Sequence, residues 1–413
     1  MKNNIFSINS IYLFLTIFIP ISLLISSGAS LVTEILISIF FLITCFHLNN
    51  FDWLKNKYFL LLLILWFFLL LNLLFSQNFN LSLTRNIFFF KNIFFVFAIN
   101  FIFRKEKNLN TIFLFYLIIV TIVCFDIFFE YFNGKNILGF QSEYGGRIAS
   151  FLGKELKIGA FMLGFSFISL GYYFEKYINK SIKLKVFGFF LISIFYLSLL
   201  LTGERANFLR GAIIILLFIS LQDAKVFKYK KFFLIAIILT PIFVYFFFDK
   251  IKGRINSIIF PVINIGIIES YKETQHGAHF DTAIKIFEKN ILFGVGNKNF
   301  REECQKDVYI NNDYARTAQR CSTHPHQIYY ELLSEHGLIG TISLLSVIFY
   351  SLFNGIKIYL LNKNSIHLAS ILFIFSQFVP VIPSGSFFTT WGSTIFWLNF
   401  SILIFYNNKS NYK

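Results

Sequence analysis

The chain has 413 residues, of which 56% are hydrophobic and only 14% charged, against about a quarter charged in an ordinary soluble domain. That excludes a soluble globular protein. The net charge of +16 is no nucleic-acid footprint, because the lysines fall in short clusters between apolar runs.

Runs such as Tyr58 to Phe75 and Ile112 to Phe129 are long enough to cross ~30 Å of hydrocarbon as helices. In chain order the pattern predicts twelve spans, at about 10–26, 31–47, 58–75, 86–103, 111–131, 158–175, 186–202, 206–221, 232–248, 326–356, 365–382 and 391–406. Lys2, the run Ile11 to Ile25 and the small residues Ser26 to Ser30 resemble a signal peptide. With so many spans following, an uncleaved first helix is the expectation. The abundant Phe, Ile, Asn and Lys match an AT-rich genome rather than a stacking device.

Charge sets the sidedness. One set of connections collects Lys55 and Lys57, then Arg104, Lys105 and Lys107, then Lys176, Lys180, Lys183 and Lys185. It continues with Lys225, Lys228, Lys230 and Lys231, then Lys357 and Lys363, and both termini join it through Lys2, Lys409 and Lys413. The opposite short connections hold only Arg85, Lys135, Arg147, Lys154, Lys157 and Arg205 as bases. The bias puts both termini in the cytoplasm. The long polar segment from Asp249, taken as residues 249–325, then lies outside as the one large loop of a single domain spanning 1–413. It reads as partly helical, with apolar positions at Phe280, Ala283, Ile284, Ile286 and Phe287, followed by a tight turn at Gly294 and Gly296. The fold class expected is all-α, a polytopic bundle of about twelve transmembrane helices with one large, partly helical outer loop.

Three helix starts face outward with charge in or beside the first turn. Gly146-Arg147 runs through Lys154-Glu155 into the sixth span. Thr202-Gly203-Glu204-Arg205 opens the eighth, with Arg210 about a turn and a half deeper, where it must face protein or pair with an acid. His324-Pro325-His326 opens the tenth: proline suits the first helical position, which makes His324 the cap and His326 a first-turn residue sharing a face with Tyr330, Leu333 and Gly337. Gly337 and Gly340 would admit a neighbouring helix. Helix N-termini with arginines make an anion site, and Arg forks suit pyrophosphate oxygens. A histidine there can serve as a general base for a hydroxyl; capping alone would also account for it. Cys45 and Cys124 lie in apolar spans, whereas Cys304 and Cys321 lie in the outer loop. The latter two either pair, contributing roughly 3 kcal/mol, or remain free thiols or metal ligands with His324.

At these residues the chain resembles the O-antigen ligase and polymerase superfamily, whose signature is His then Asn, Ser or Gln, nine residues, then Gly-x-x-Gly. Here that is His326-Gln327, Ile328 to His336, and Gly337-Leu338-Ile339-Gly340. Thr202 to Asn207 resembles the family's first essential arginine region, so the resemblance gives Arg205 that role beside His326. Gly294 to Phe300 resembles the family's Gly-rich turn. Where members often carry a second arginine, this chain has Thr274 to Phe280 with none, so either His276 or His279, or Arg254, Arg316 or Arg320, would contact phosphate.

The resemblance implies a GT-C-like enzyme of the bacterial inner membrane with its site facing the periplasm. It implies metal-independent, inverting transfer from an undecaprenyl pyrophosphate-linked glycan donor to a lipid A-core or glycan acceptor, with no cofactor, no metal and no nucleic acid. Arg205 would hold the leaving group, with Arg147, Glu155, Arg210, His276, His279, His324 and Tyr330 around the substrate. His326 would take the acceptor proton, oriented by Glu155, Glu204 or Glu331. Ligase is the leading expectation, with a polymerase or a protein O-oligosaccharyltransferase as alternatives. A transporter or flippase would instead place charge at mid-membrane, where only Arg210 and Asp126 stand out.

Overall fold

In the computed structural model the described residues are 2–142, 146–222, 230–247 and 249–408. Lys225, Lys228, Lys409 and Lys413 lie outside them, as do the side chains of Lys2 and Arg254. The helices are α1 (Lys2–Ile25), α2 (Ser27–Leu48), α3 (Lys57–Asn72), α4 (Phe79–Ile87), α5 (Phe90–Phe103) and α6 (Glu106–Asn133). Then come α7 (Ile158–Tyr177), α8 (Ile182–Leu201), α9 (Arg205–Leu221), α10 (Lys230–Phe247), α11 (Asp249–Ile265), α12 (Ile267–Lys272) and α13 (Gln275–Lys289). The chain closes with α14 (Phe300–Glu303), α15 (Ile328–Asn362), α16 (Ser365–Gln377) and α17 (Thr390–Asn408).

No strand occurs among the described residues. Each of the twelve expected spans overlaps a helix, although 86–103 crosses the break between α4 and α5 and 365–382 runs past the end of α16; among the described residues eight helical segments are long and apolar enough to cross a membrane. This is a polytopic helical bundle.

Local chemistry sets the helix ends. Ser26 caps α2 by accepting from the Ala29 N–H at 3.0 Å, and Thr274 does the same for α13 through the Gly277 N–H at 3.0 Å. Helix α6 ends where Gly134 takes φ 77°, a left-handed cap that glycine adopts without steric cost.

Helix α7 is buried nearly all round, which marks it as the centre of the bundle. Its small residues make that possible: a Cβ on Gly171 would meet the Ser365 carbonyl at 2.7 Å, so α16 packs almost backbone to backbone. Phenylalanine serves both sides of the wall. Phe161, Phe165 and Phe167 are fully buried, while Phe14, Phe67 and Phe246 cover the outer surface.

The stretch 249–325 is more helical than the sequence pattern alone predicts, with α11 to α14 inside it. Phe280, Ala283 and Ile286 are buried as expected, whereas Ile284 is exposed. The face of α13 that packs inward is therefore narrower than the apolar pattern suggests.

Candidate functional site

The N-terminal ends of α7, α9, α15 and α17 gather at one end of the bundle, with the C-terminal ends of α3, α8 and α16. The Gly159 N–H at the start of α7 donates to Glu204 at 2.7 Å, and the Gln77 N–H beyond α3 donates to the Val295 carbonyl at 2.9 Å. The site is built there, around the chain that leads into α15.

Helix α15 starts three residues later than the proline suggests. Its cap is Gln327, whose side chain accepts from the Tyr329 N–H at 2.7 Å and the Tyr330 N–H at 3.3 Å. His326 lies outside the helix with φ 62°, so it shares no helical face with Tyr330 and Leu333. A non-glycine residue held in the left-handed region costs on the order of 1–3 kcal/mol. The Ser384 N–H offsets part of that by donating to the His326 carbonyl at 2.7 Å.

Gly337 is not a helix-packing glycine either. Its backbone, at φ 62° and ψ −167°, breaks α15, and the segment 291–296 fills the gap. Val295 and Gly296 donate to the freed carbonyls of Ser334 and Glu335, each at 2.9 Å, while the Leu338 N–H donates to Ile291 at 2.8 Å. A Cβ at Gly337 would overlap the Leu292 carbonyl, so only glycine fits. Gly340 packs against Phe68 of α3. The buried Glu335 carboxylate completes the joint by accepting from the Lys298 N–H at 2.8 Å and the Phe300 N–H at 3.3 Å. The Gly-rich turn and the histidine motif thus form one unit.

Four imidazoles meet at that unit. The His326 ring centroid lies 4.1 Å from His324, 5.2 Å from His279 and 5.5 Å from His276. His324 Nε2 faces the Ser384 carbonyl at 3.3 Å, so that nitrogen carries the proton and Nδ1 accepts from Thr323 Oγ1 at 3.0 Å. His326 Nε2 is 2.9 Å from the Ser322 hydroxyl, and neither ring nitrogen of the buried His279 finds a hydrogen-bond partner of normal geometry.

Burial pushes His326 down to about 3, and the neighbouring His324, His279 and His276 add to the effect. Burial, then Lys298, lowers His324 to about 4, against the opposing Ser384 carbonyl. His279 falls to about 4 through burial and His276, and burial lowers His276 as well. At neutral pH the cluster is uncharged and able to accept a proton. Among the described residues no three His, Cys, Asp or Glu side chains are arranged to hold a metal ion.

Two pairs of cations lie around this end of the bundle. Arg147 and Arg205 are close enough for the first charge to act on the second; Arg205 donates to Ser257 Oγ at 3.2 Å, and the buried Nε of Arg147 has no hydrogen-bond partner. Buried acids set the Arg147 segment: Glu130 accepts from the Ser150 N–H at 2.6 Å and Asp126 from the Ile137 N–H at 2.8 Å. Arg301 stands near both His324 and Arg85, and its Nη2 donates to the Thr323 carbonyl at 3.3 Å.

Arg210 is fully engaged by the chain. It donates to the carbonyls of Ser376 at 3.1 Å, Ile382 at 3.3 Å and Pro383 at 2.9 Å. It therefore clasps the turn whose next residue, Ser384, holds both His324 and His326.

Residues 187–345 match the model of a protein family described as O-antigen ligase. Over that stretch the chain is similar to the O-antigen ligase family. No curated protein matches the chain. The O-antigen ligase stretch runs from within α8 into α15 and contains Arg205, His276, His279 and His326. Arg85 and Arg147 lie before it. The similarity supports O-antigen ligase-like glycan transfer at a membrane.

The remaining expected site residues sit further out. Glu155 is exposed and pairs with Lys157. Glu204 accepts from Gly159 and from Asn207 at 2.6 Å, while Glu331 faces Ser386, Lys298 at 3.7 Å and the Phe387 N–H at 3.0 Å. The ring partner of His326 is thus the Ser322 hydroxyl rather than any of these carboxylates. Tyr330 stacks on Phe280 with centroids 4.4 Å apart and joins α15 to α13.

Arg316 and Arg320 are taken up by backbone carbonyls, of Glu273 at 3.2 Å and of Cys304 at 3.0 Å. Cys304 and Cys321 form a disulfide, Cα to Cα 5.4 Å. The residues that sequence reasoning missed are Ser322, Arg301, Lys298, Glu335 and Ser384. Lys298 lies within the Gly-rich turn and Arg301 directly follows it, which was the available signal; Ser384 had none beyond a polar gap between two spans.

Proposed function

We propose that the chain transfers O-antigen or a similar glycan from undecaprenyl pyrophosphate to a lipid A-core acceptor at the periplasmic face of the inner membrane. The observation that carries this reading is the uncharged histidine cluster with His326 at its centre and Lys298 and Arg301 near its His324. The charge bias of the connections supports the periplasmic face.

In this reading the acceptor sugar hydroxyl attacks the anomeric carbon as the bond from that carbon to the pyrophosphate oxygen breaks. His326 takes the hydroxyl proton. In the tautomer whose Nε2–H donates to the Ser322 hydroxyl, Nδ1 is the accepting atom. Arg205 and Arg147 neutralise the departing undecaprenyl pyrophosphate. These guanidinium groups supply the counter-charge that a metal ion supplies elsewhere, and a single displacement inverts the anomeric centre. The bound diphosphate would raise the His326 pKa toward neutrality, where a base works best.

The test is a reconstituted reaction with a defined undecaprenyl pyrophosphate-linked glycan. It is offered either lipid A-core or a second lipid-linked glycan as acceptor. Glycan appearing on lipid A-core is the expected result; extension of the lipid-linked glycan alone would make the chain a polymerase instead.

A further inference from the structure

A cleft of about 280 Å³ lies between α2, α4, α5 and the start of α17. Its walls are Leu31, Ile35, Phe88, Phe89, Phe388 and Trp397, and Ile35 and Phe88 are exposed at its mouth on the outer surface of the bundle. Most polar groups around it are already matched. Lys91 pairs with the buried Glu34 at 2.8 Å, and Ser393 donates to Asn92 at 3.2 Å. Arg85 is different: its one hydrogen bond goes to the Thr390 hydroxyl at 2.9 Å, and among the described residues no carboxylate pairs with it. Arg301, with a buried Nε that has no partner, is a second cation close enough for its charge to act on Arg85.

One short piece of chain joins the cleft to the histidine site. Ser384 of that piece holds His324 and His326, Phe387 and Phe388 line the cleft, and Thr390 receives Arg85. Helix α9, which carries Arg205, packs chiefly on α7, α8, α10 and α16 and takes no part in the cleft. The two cationic pairs thus belong to different parts of the bundle.

The geometry points to this cleft as the subsite for one acyl chain of the acceptor, a phosphorylated, multiply acylated glycolipid, with a phosphate on Arg85 and Arg301. A sugar would need hydrogen-bonding walls; these are aromatic and aliphatic and suit a hydrocarbon chain. An unpaired arginine at the mouth suits a phosphate. The inference rests on the glycan-transfer reading above, with the donor pyrophosphate at Arg147 and Arg205.

Equilibrium binding to the full-length protein in zwitterionic nanodiscs tests it, using diphosphorylated lipid A, its dephosphorylated form and undecaprenyl pyrophosphate as probes. Leu31→Trp fills the cleft, and Arg85→Gln removes the charge at its mouth. Both should weaken lipid A binding roughly tenfold or more. Arg85→Gln should leave the dephosphorylated form unaffected, and this arm decides alone if Leu31→Trp does not fold. Unchanged lipid A binding in a folded variant overturns the assignment. Weakened binding of undecaprenyl pyrophosphate in place of lipid A also overturns it, by making the cleft a donor-tail site, while glycan transfer itself stands. No turnover is measured, so failure of the transfer reading is seen separately.

Discussion

The Ser384 N–H donates to the His326 carbonyl at 2.7 Å and ties the central histidine of the site to the turn between α16 and α17. Arg210 holds the same turn from the other side through the Ile382 and Pro383 carbonyls. A buried arginine thus reaches the proposed base through three residues of backbone. His326 needs this support because its own φ of 62° is unfavourable.

Arg210→Lys therefore acts as a loss of positioning. Lysine cannot span three carbonyls, and the freed groups cost on the order of 1–3 kcal/mol each. The expected result is a kcat lowered by about ten- to a hundredfold with little change in donor KM. A raised donor KM with unchanged kcat would instead make Arg210 a direct substrate contact.

Gly337→Ala should be among the most damaging single changes. It combines a positive φ with overlap on the Leu292 carbonyl, and a cost above about 2 kcal/mol is expected. Gly253→Ala, in α11 with open space around it, is the control and should stabilise by roughly 0.5–1 kcal/mol. Thermal unfolding of the two variants in detergent checks the contrast.

The disulfide gives a redox prediction. Cys321 directly precedes Ser322 and Thr323, which hold His326 and Arg301. Reduction should lower stability by roughly 3 kcal/mol and slow transfer. A variant with serine at both Cys304 and Cys321 should show the lower Tm and no further response to reductant.

The histidines set a pH dependence whose sign is fixed. Their folded pKa values lie below the unfolded value of about 6.5, with His326 near 3 and His279 and His324 near 4. Between those values the unfolded chain binds protons that the folded chain does not. Stability is therefore fully present above pH ~6.5 and is lost as pH falls toward 3. The acidic limb of kcat/KM, which reports the free enzyme, should accordingly lie well below 6.5. Measured pH profiles of Tm and kcat/KM test both statements.

The bundle was legible in the sequence because its spanning helices are apolar runs, and that signal is local. The clustering of His276 and His279 with His326 was half visible, since they stand where a second arginine was expected. The backbone at His326 was hidden: His-Pro-His reads locally as a helix start, but Gln327 and the distant Ser384 override the proline. Gly337 misled for the same reason. Its spacing from Gly340 looks like helix packing, whereas its partner is the turn at 291–296, which no helical register reveals. Arg85 read as one more outward base, because only the fold brings Arg301 beside it.

The most direct test of the account is His326→Ala in the reconstituted transfer reaction, with thermal unfolding measured on the same preparation. Transfer should fall by about 10²–10⁴-fold while the protein remains folded and keeps binding the undecaprenyl pyrophosphate-linked donor. A folded His326→Ala protein that transfers glycan at the wild-type rate would contradict it.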